Sequence, residues 1–332
     1  MKQTTQTYLS LPETFHPAST ASGKHPDSSI PRCYSDGRPY YSLNAWLKDQ
    51  FGQKIYKLAL DGGMTCPNRD GTMGVGGCIF CDGGSGAFAE ERRGSLEEQL
   101  SRAKARVAAK AGERAGYMAY FQSYTNTYAP AARLLELYLP IVRREDIQAL
   151  SIATRPDCLP PEVLSVLADL AQEKPLFVEL GLQTVHEDTA RYIRRGYELS
   201  VFEQAVQDLR SLGAEVVVHT IFGLPGETPA RMRETVEYVA HSGVQGIKLQ
   251  LLHVLRGTEL ATAYARGEFS VMEMADYIAL VEDAIRLLPP EMVIHRLTGD
   301  GEKAKLLAPL WSADKKRLLN AMQRAFVRDD VR

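Results

Sequence analysis

The 332-residue chain has no apolar run long enough to cross a bilayer and no signal-peptide core at its N-terminus. Neither sign of charge is in excess: 39 basic against 41 acidic residues leave a formal net charge of −2. No global field therefore recruits nucleic acid, and any such binding must rest on a local patch. Cysteine is scarce, and three of the five stand between positions 66 and 81, which is not the layout of a disulfide framework. These absences speak against a membrane-spanning or disulfide-stapled protein. They make the cytoplasm the expected location, because its reducing conditions keep thiolates available. What is present is ordinary for a globular protein: 45% hydrophobic and 24% charged residues, in a length that buries one large core or two modest ones.

The exception is the stretch Leu58–Asp82, LALDGGMTCPNRDGTMGVGGCIFCD, which carries Cys66, Cys78 and Cys81. Cys66 follows a short apolar run, Tyr56–Leu60, that reads as a strand closed by Asp61-Gly62-Gly63. Cys78 and Cys81 flank Ile79-Phe80, so one turn presents two thiolates, and the glycine-rich loop returns the third. A structural zinc site wants four protein ligands, and no histidine stands in this loop. A 4Fe–4S cluster can be held by three cysteines with one iron left open. The other readings are inert thiols or a zinc knuckle completed by Cys33 or Cys158. Cys33 lies in a polar segment and Cys158 follows a different strand, so neither is an obvious fourth ligand.

The ending Cys78-Ile79-Phe80-Cys81 resembles the close of the C-x3-C-x-aromatic-C loop of radical S-adenosylmethionine (SAM) enzymes, with Phe80 as the aromatic. The first gap is eleven residues, and this longer form resembles the YhcC/YtqA-type family, a subgroup close to the elongator catalytic-subunit radical SAM domain. The match runs from about Tyr40 to the C-terminus. The resemblance implies a cluster on Cys66, Cys78 and Cys81 whose open iron is chelated by SAM. It further implies reductive cleavage of SAM to a 5′-deoxyadenosyl radical and a reducing donor of flavodoxin or ferredoxin type.

Residues 1–34 are rich in Ser, Thr, Pro and His and read as a flexible tail. Tyr40–Phe51 has helical spacing and is expected to pack against one end of a barrel. From Tyr56, strand candidates Tyr56–Leu60, Tyr117–Phe121, Ala149–Ala153, Leu176–Leu180, Val216–Phe222 and Gly246–Leu252 alternate with amphipathic helices at Leu96–Ala109, Ala131–Val142, Pro161–Gln172, Val201–Leu212 and Pro229–His241. Six such units imply an α/β fold with a parallel sheet and right-handed crossovers. The resemblance makes it a partial (β/α)6 TIM-like radical SAM barrel. The core is expected over residues 35–260, flanked by an N-terminal segment and a C-terminal helical region, 261–332. The unusual residues all follow strands, which in β/α barrels places them on one face.

Each of these loops has a bland reading beside a functional one. Gln122 and Ser123 begin an ordinary polar turn, or stand where the resemblance puts contacts to the SAM amino group. Arg155, after Thr154, pairs with a carboxylate or offers a planar fork to an anionic cofactor. Glu179 and Gln183 alternate with apolar neighbours and so point into the barrel, where a charge needs a partner. The resemblance makes Gln183 a SAM contact, Arg195 the grip on the SAM carboxylate, and Gly223, Pro225 and Gly226 the backbone beside the adenine. His219, by itself a satisfied core histidine, would then reach the ribose. Lys248, Gln250 and His253 line a final strand with a polar inner face. Arg256, His295 and Arg296 add positive charge near the barrel mouth, suiting an anionic substrate, or pair with Glu259 or Asp300. The basic helix within Lys303–Val327 is a solvated face or an RNA-backbone contact. Resemblance to the elongator subgroup implies a tRNA substrate at the wobble uridine side chain. A small metabolite, a protein side chain, or a non-catalytic RNA-binding protein stapled by zinc or cluster are the rivals.

Overall fold

A computed structural model describes residues 34–83, 94–111 and 115–328. The tail expected over residues 1–34 lies, apart from Tyr34, outside the described residues, as does Cys33. The chain opens with α1 (Leu43–Phe51), capped by Ser42, whose hydroxyl accepts from the Ala45 N–H. There follow β1 (Ile55–Leu60), α2 (Leu96–Ala111), β2 (Gly116–Phe121), α3 (Ala131–Val142), β3 (Ile147–Thr154), α4 (Pro161–Glu173), β4 (Leu176–Gln183), α5 (Glu187–Tyr192), α6 (Leu199–Ser211), β5 (Glu215–Phe222), α7 (Pro229–His241) and β6 (Gly246–Leu251). Beyond them come β7 (Val254–Leu255), α8 (Glu259–Ala265), α9 (Met274–Leu287), β8 (Val293–Arg296), β9 (Leu306–Ala308) and α10 (Lys315–Arg328).

The main sheet has the order β1-β2-β3-β4-β5-β6-β8, every pair parallel. This is the expected partial barrel with one strand more than the six expected. The extra strand comes from the segment after residue 261, which is therefore not helical throughout. Its four residues, Val-Ile-His-Arg, are too short and too polar to show a strand pattern. Position compensates: Ile294 donates to the Tyr41 carbonyl at 2.7 Å, so β8 is pinned between β6 and the entry to α1.

Alternation along the strands sorts side chains into an outer layer under the helices and an interior. Leu58, Leu60, Phe121, Leu150, Ile152, Val178, Leu180, Val216 and Val218 face outward into one large apolar core. Inside, at the N-terminal ends of the strands, Ile55, Met118, Ala149, Phe177 and Val217 meet Leu43, Trp46, Leu47 and Phe51, so α1 plugs the barrel floor. Trp46 stands edge-on to Phe177 with ring centroids 5.2 Å apart. α10 buries Leu318, Met322 and Phe326 at helical spacing. Its basic start is partly paired, since Lys315 donates to both Asp300 carboxylate oxygens at 2.6 and 2.7 Å, while Lys316 and Arg317 are exposed. Among the described residues no helix is long and apolar enough to cross a membrane.

The floor gives a direct stability test. Phe177→Ala removes the ring that α1 closes upon and should cost about 3–5 kcal/mol of unfolding free energy, read by denaturant titration.

Candidate radical SAM site

The cysteine loop is folded back on itself at the C-terminal end of β1. Cys66 O accepts from the Arg69 and Asp70 N–H groups, Pro67 O from Met73 and Gly74, and Asn68 O from Gly77 at 2.8 Å. Arg69 explains Gly77, which precedes Cys78, and Gly83, which follows Cys81 by two residues. Its guanidinium runs between Gly77 and Gly83 to donate to Cys81 O at 2.8 Å, and a Cβ at either glycine would lie 2.9 Å from it. Both glycines have positive φ, which side-chain-bearing residues adopt at a cost. Ile79 donates to Ile193 O and accepts from the Leu260 N–H, sewing the Cys78–Cys81 turn to α5 and α8. Phe80 packs on the same apolar group, which includes Ile193, Leu224 and Leu252.

The three thiols line one cavity of about 200 Å³, whose other walls include Gln122, Thr154, Arg155, Glu179, Gln183, Arg195 and His219. The structure thus brings together, around the cysteines, most of the residues expected there from the strand ends. Tyr124 and Gln183 line it with left-handed backbone, at φ 60° and 64°, and Arg194 beside it has φ 57°. These are the non-glycine residues of positive φ among the described residues, and strained backbone of this kind gathers at functional sites. With its amide turned so that nitrogen donates to Gly181 O and Leu182 O, at 3.2 and 3.0 Å, Gln183 presents its side-chain oxygen elsewhere.

Several expected contacts have partners of their own. Arg155 clamps Asp157 through Nε and Nη2, at 2.9 and 2.6 Å. Arg195, 1% exposed, donates to the carbonyls of Tyr197, Leu182 and Thr184 and to Glu187 Oε1 at 2.8 Å. Both guanidiniums lie over the Tyr197 ring, 5.2 and 4.9 Å from its centroid. Thr154 shares a 2.5 Å hydrogen bond with Thr127. Ser123 is fully buried and its hydroxyl has no partner. Gly223, Pro225 and Gly226 are not in the cavity lining.

Below the thiols lies a charged layer that the strand pattern only half disclosed. Glu179 accepts from Lys57 Nζ (3.2 Å), Tyr120 OH (2.9 Å), Ser151 Oγ (2.9 Å), His219 Nε2 (2.9 Å) and Lys248 Nζ. Gln250 Nε2 donates to His219 Nδ1 at 3.2 Å, which fixes the neutral tautomer with its proton on Nε2. Burial alone would raise the Glu179 pKa, but Lys248, Lys57 and His219 outweigh it and hold the carboxyl well below its ordinary value. Burial, with Lys57 and Arg296 adding to it, lowers Lys248 well below its own. His295 is not at the mouth: its ring stands against Phe177 at 5.7 Å and beside Gly246, in the lower barrel. His253 lies between Gly299 and Gly301, and Arg256 is exposed. Lys57, Tyr120, Ser151, Asn68, Arg69 and Tyr197 were not foreseen. Lys57 had a signal, a charge at an inward position of IYKLAL, by the same alternation that marks Glu179.

A model of the radical SAM superfamily matches residues 66–239, and one of the Radical_SAM C-terminal domain matches residues 244–328. The chain belongs to the radical SAM superfamily. It is 45% identical to YtqA of Bacillus subtilis over 86% of this chain and 88% of that protein, and 40% identical to YhcC of Escherichia coli K12 over 81% and 86%. A tRNA uridine(34) acetyltransferase of Dehalococcoides mccartyi is 29% identical over 46% of this chain and 33% of that one. Among solved structures, the Elp3 of archaeal Methanocaldococcus infernus superposes with a TM-score of 0.63 at 17% identity, covering 84% of this chain and 65% of that chain. That likeness shows the fold.

The donor set fits the iron–sulfur group that superfamily membership implies. Burial, reinforced by Cys81 beside it, pushes the Cys78 thiol up to about 11, so without an added positive centre this sulfur stays protonated. Among the described residues no group of three His, Cys, Asp or Glu is close enough to share one metal ion. The thiols surround a volume rather than a point, and a cluster fills a volume.

Two outcomes follow from the charged layer. Glu179→Ala leaves the buried Lys248 and the partly exposed Lys57 unanswered and should cost about 3–5 kcal/mol in denaturant titration. Burial lowers His219 and His253 to about 4 from an ordinary 6.5, so between those values the unfolded chain binds protons that the folded chain does not. Stability should therefore fall as pH drops from about 6.5 to 4, and His253→Gln should make that decline in melting temperature shallower.

Proposed function

We propose that this protein is a radical SAM enzyme that holds a 4Fe–4S cluster on Cys66, Cys78 and Cys81 and modifies the wobble uridine side chain of tRNA. The observation that carries the enzyme reading is the single cavity in which three thiols face Gln122, Thr154, Arg155, Gln183 and Arg195. A structural staple needs no such polar wall. When bound, the cluster and SAM supply the reductive cleavage that yields a 5′-deoxyadenosyl radical for hydrogen abstraction. The chain's own part is to orient and to exclude water. Arg195 and Arg155, already paired, brace Tyr197 against the cavity. Gln183 offers its amide oxygen as an acceptor, and Gln122 at the β2 end is assigned to the amino group of SAM, with Ser123 buried behind it outside the cavity lining. His219 and the strand-end loop Gly223–Gly226 are assigned to the nucleoside side. The donor of electrons is a flavodoxin or ferredoxin type protein.

The substrate reading rests on less. The similarity to a tRNA uridine(34) acetyltransferase covers part of the chain. The interior beneath the cavity sets Lys57 and Lys248 against one carboxylate, Glu179, while Arg296 pairs with Asp300 at 3.8 Å. That excess of cations suits an anionic group on the substrate, with Gln250 and His253 beside it. Arg256 and the exposed Lys316 and Arg317 are assigned to the RNA backbone, and His295 to support of the layer from below.

Anaerobic reconstitution with iron and sulfide, then dithionite and SAM, should give a brown protein that releases 5′-deoxyadenosine. Cys66→Ala, Cys78→Ala and Cys81→Ala should each lose iron and product. Cys158→Ala should keep both, because that side chain is buried outside the cavity lining. A colourless protein holding one zinc would overturn the enzyme. Unchanged tRNA nucleosides in a deletion strain, analysed by mass spectrometry, would overturn the substrate.

A further inference from the structure

The long gap between Cys66 and Cys78 contains a side chain that points back at the cysteines. Asn68 is 6% exposed. Its Nδ2 donates to Arg194 O at 2.8 Å and Arg195 O at 3.3 Å, and stands 3.6 Å from Cys78 Sγ. The amide orientation is dictated by its surroundings, since turning it over would set Oδ1 against two carbonyls. Oδ1 instead faces Gly196, where a Cβ would come within 2.8 Å of it; that glycine has φ +87°. The Asn68 backbone is held as well, through the Gly77 N–H bond to its carbonyl. Neck, turn and side chain are thus locked around one N–H directed at one sulfur.

We propose that Asn68 is a positioning residue that tunes the cluster, its side-chain N–H stabilising the Cys78 thiolate and raising the reduction potential of the iron–sulfur centre. The inference rests on the assignment of the three cysteines as cluster ligands. The Cys78 thiol donates to Arg194 O at 3.4 Å. Once ligated it has no proton to give, and a carbonyl oxygen facing a thiolate is repulsive. Asn68 answers both, with donors toward the carbonyls and toward the sulfur. Hydrogen bonds to cluster sulfurs are among the levers that set these potentials, and outer contacts of this kind orient the ligands. The same amide ties the cluster loop to the Arg194–Gly196 turn, and so to the Arg195 wall of the cavity.

The test uses the full-length reconstituted protein without SAM or substrate. Asn68→Ala removes the N–H without adding a charge; Asn68→Asp removes it and adds a carboxylate, so its midpoint should fall further. With iron content equal to wild type, a dye-mediated anaerobic titration should show at least a tenfold lower reduced-to-oxidised ratio at fixed potential, about 59 mV for one electron. An unchanged midpoint in either iron-loaded variant would overturn the proposal. Should both variants fail to hold the cluster, wild-type protein labelled with 15N-asparagine decides. A nitrogen coupling in the electron spin echo of the reduced cluster supports the bond, and its absence removes it. A wild-type chain that takes up no iron sinks the cluster reading itself, and the missing cluster spectrum tells that failure apart.

Discussion

A carboxylate buried inside an apolar sheet has to be answered by donors, and Glu179 is answered from five strands: Lys57 on β1, Tyr120 on β2, Ser151 on β3, His219 on β5 and Lys248 on β6. Both lysines also lie over the Tyr120 ring, 4.1 and 4.7 Å from its centroid. Ion pairs of this kind contribute little net stability compared with apolar packing, yet removing one member leaves a charge that nothing solvates. Their value here is geometric. One acceptor drawing on five strands specifies the curl of the sheet and the register in which the strand ends meet.

The loops inherit that order. Asn126 donates to the carbonyls of Phe121 and Ala153, at 3.1 and 3.0 Å, so the ends of β2 and β3 are tied one step above the charged layer. Thr127 continues the tie to Thr154 and to Cys158 O at 2.6 Å. Strain then becomes affordable: Tyr124 and Gln183 keep left-handed backbone because rigid strands over-determine them. The cysteine loop is the longest excursion, and it is held by contacts to α5, α8 and Arg69 rather than by the sheet.

The sequence disclosed the framework through periodicity. The six long strands had β-branched or apolar alternation, and their following loops carried the unusual residues. It hid β8, whose Val-Ile-His-Arg has no readable period and is a strand only because β6 and Tyr41 flank it. The cysteines were legible because chemistry constrains their spacing. Partners were not. Nothing in the order of residues shows that Arg155 is claimed by Asp157 or Arg195 by Glu187, since those pairs depend on where helices and turns end. Nor does it show that His295 sits among floor residues, because one residue of register decides whether a side chain faces in or out. Asn68 and Arg69 look like loop filler until the loop is folded.

The layers have a chemical consequence. The floor is apolar and closed by Trp46 and Phe177, the middle is charged and saturated, and the rim carries the thiols. A radical formed at the rim, as the proposed function requires, would be closed off from water on the floor side. Glu179 faces upward into the same cavity as the cysteines, with its lone pairs already committed. Lys57 and Lys248, which hold it, do not line that cavity.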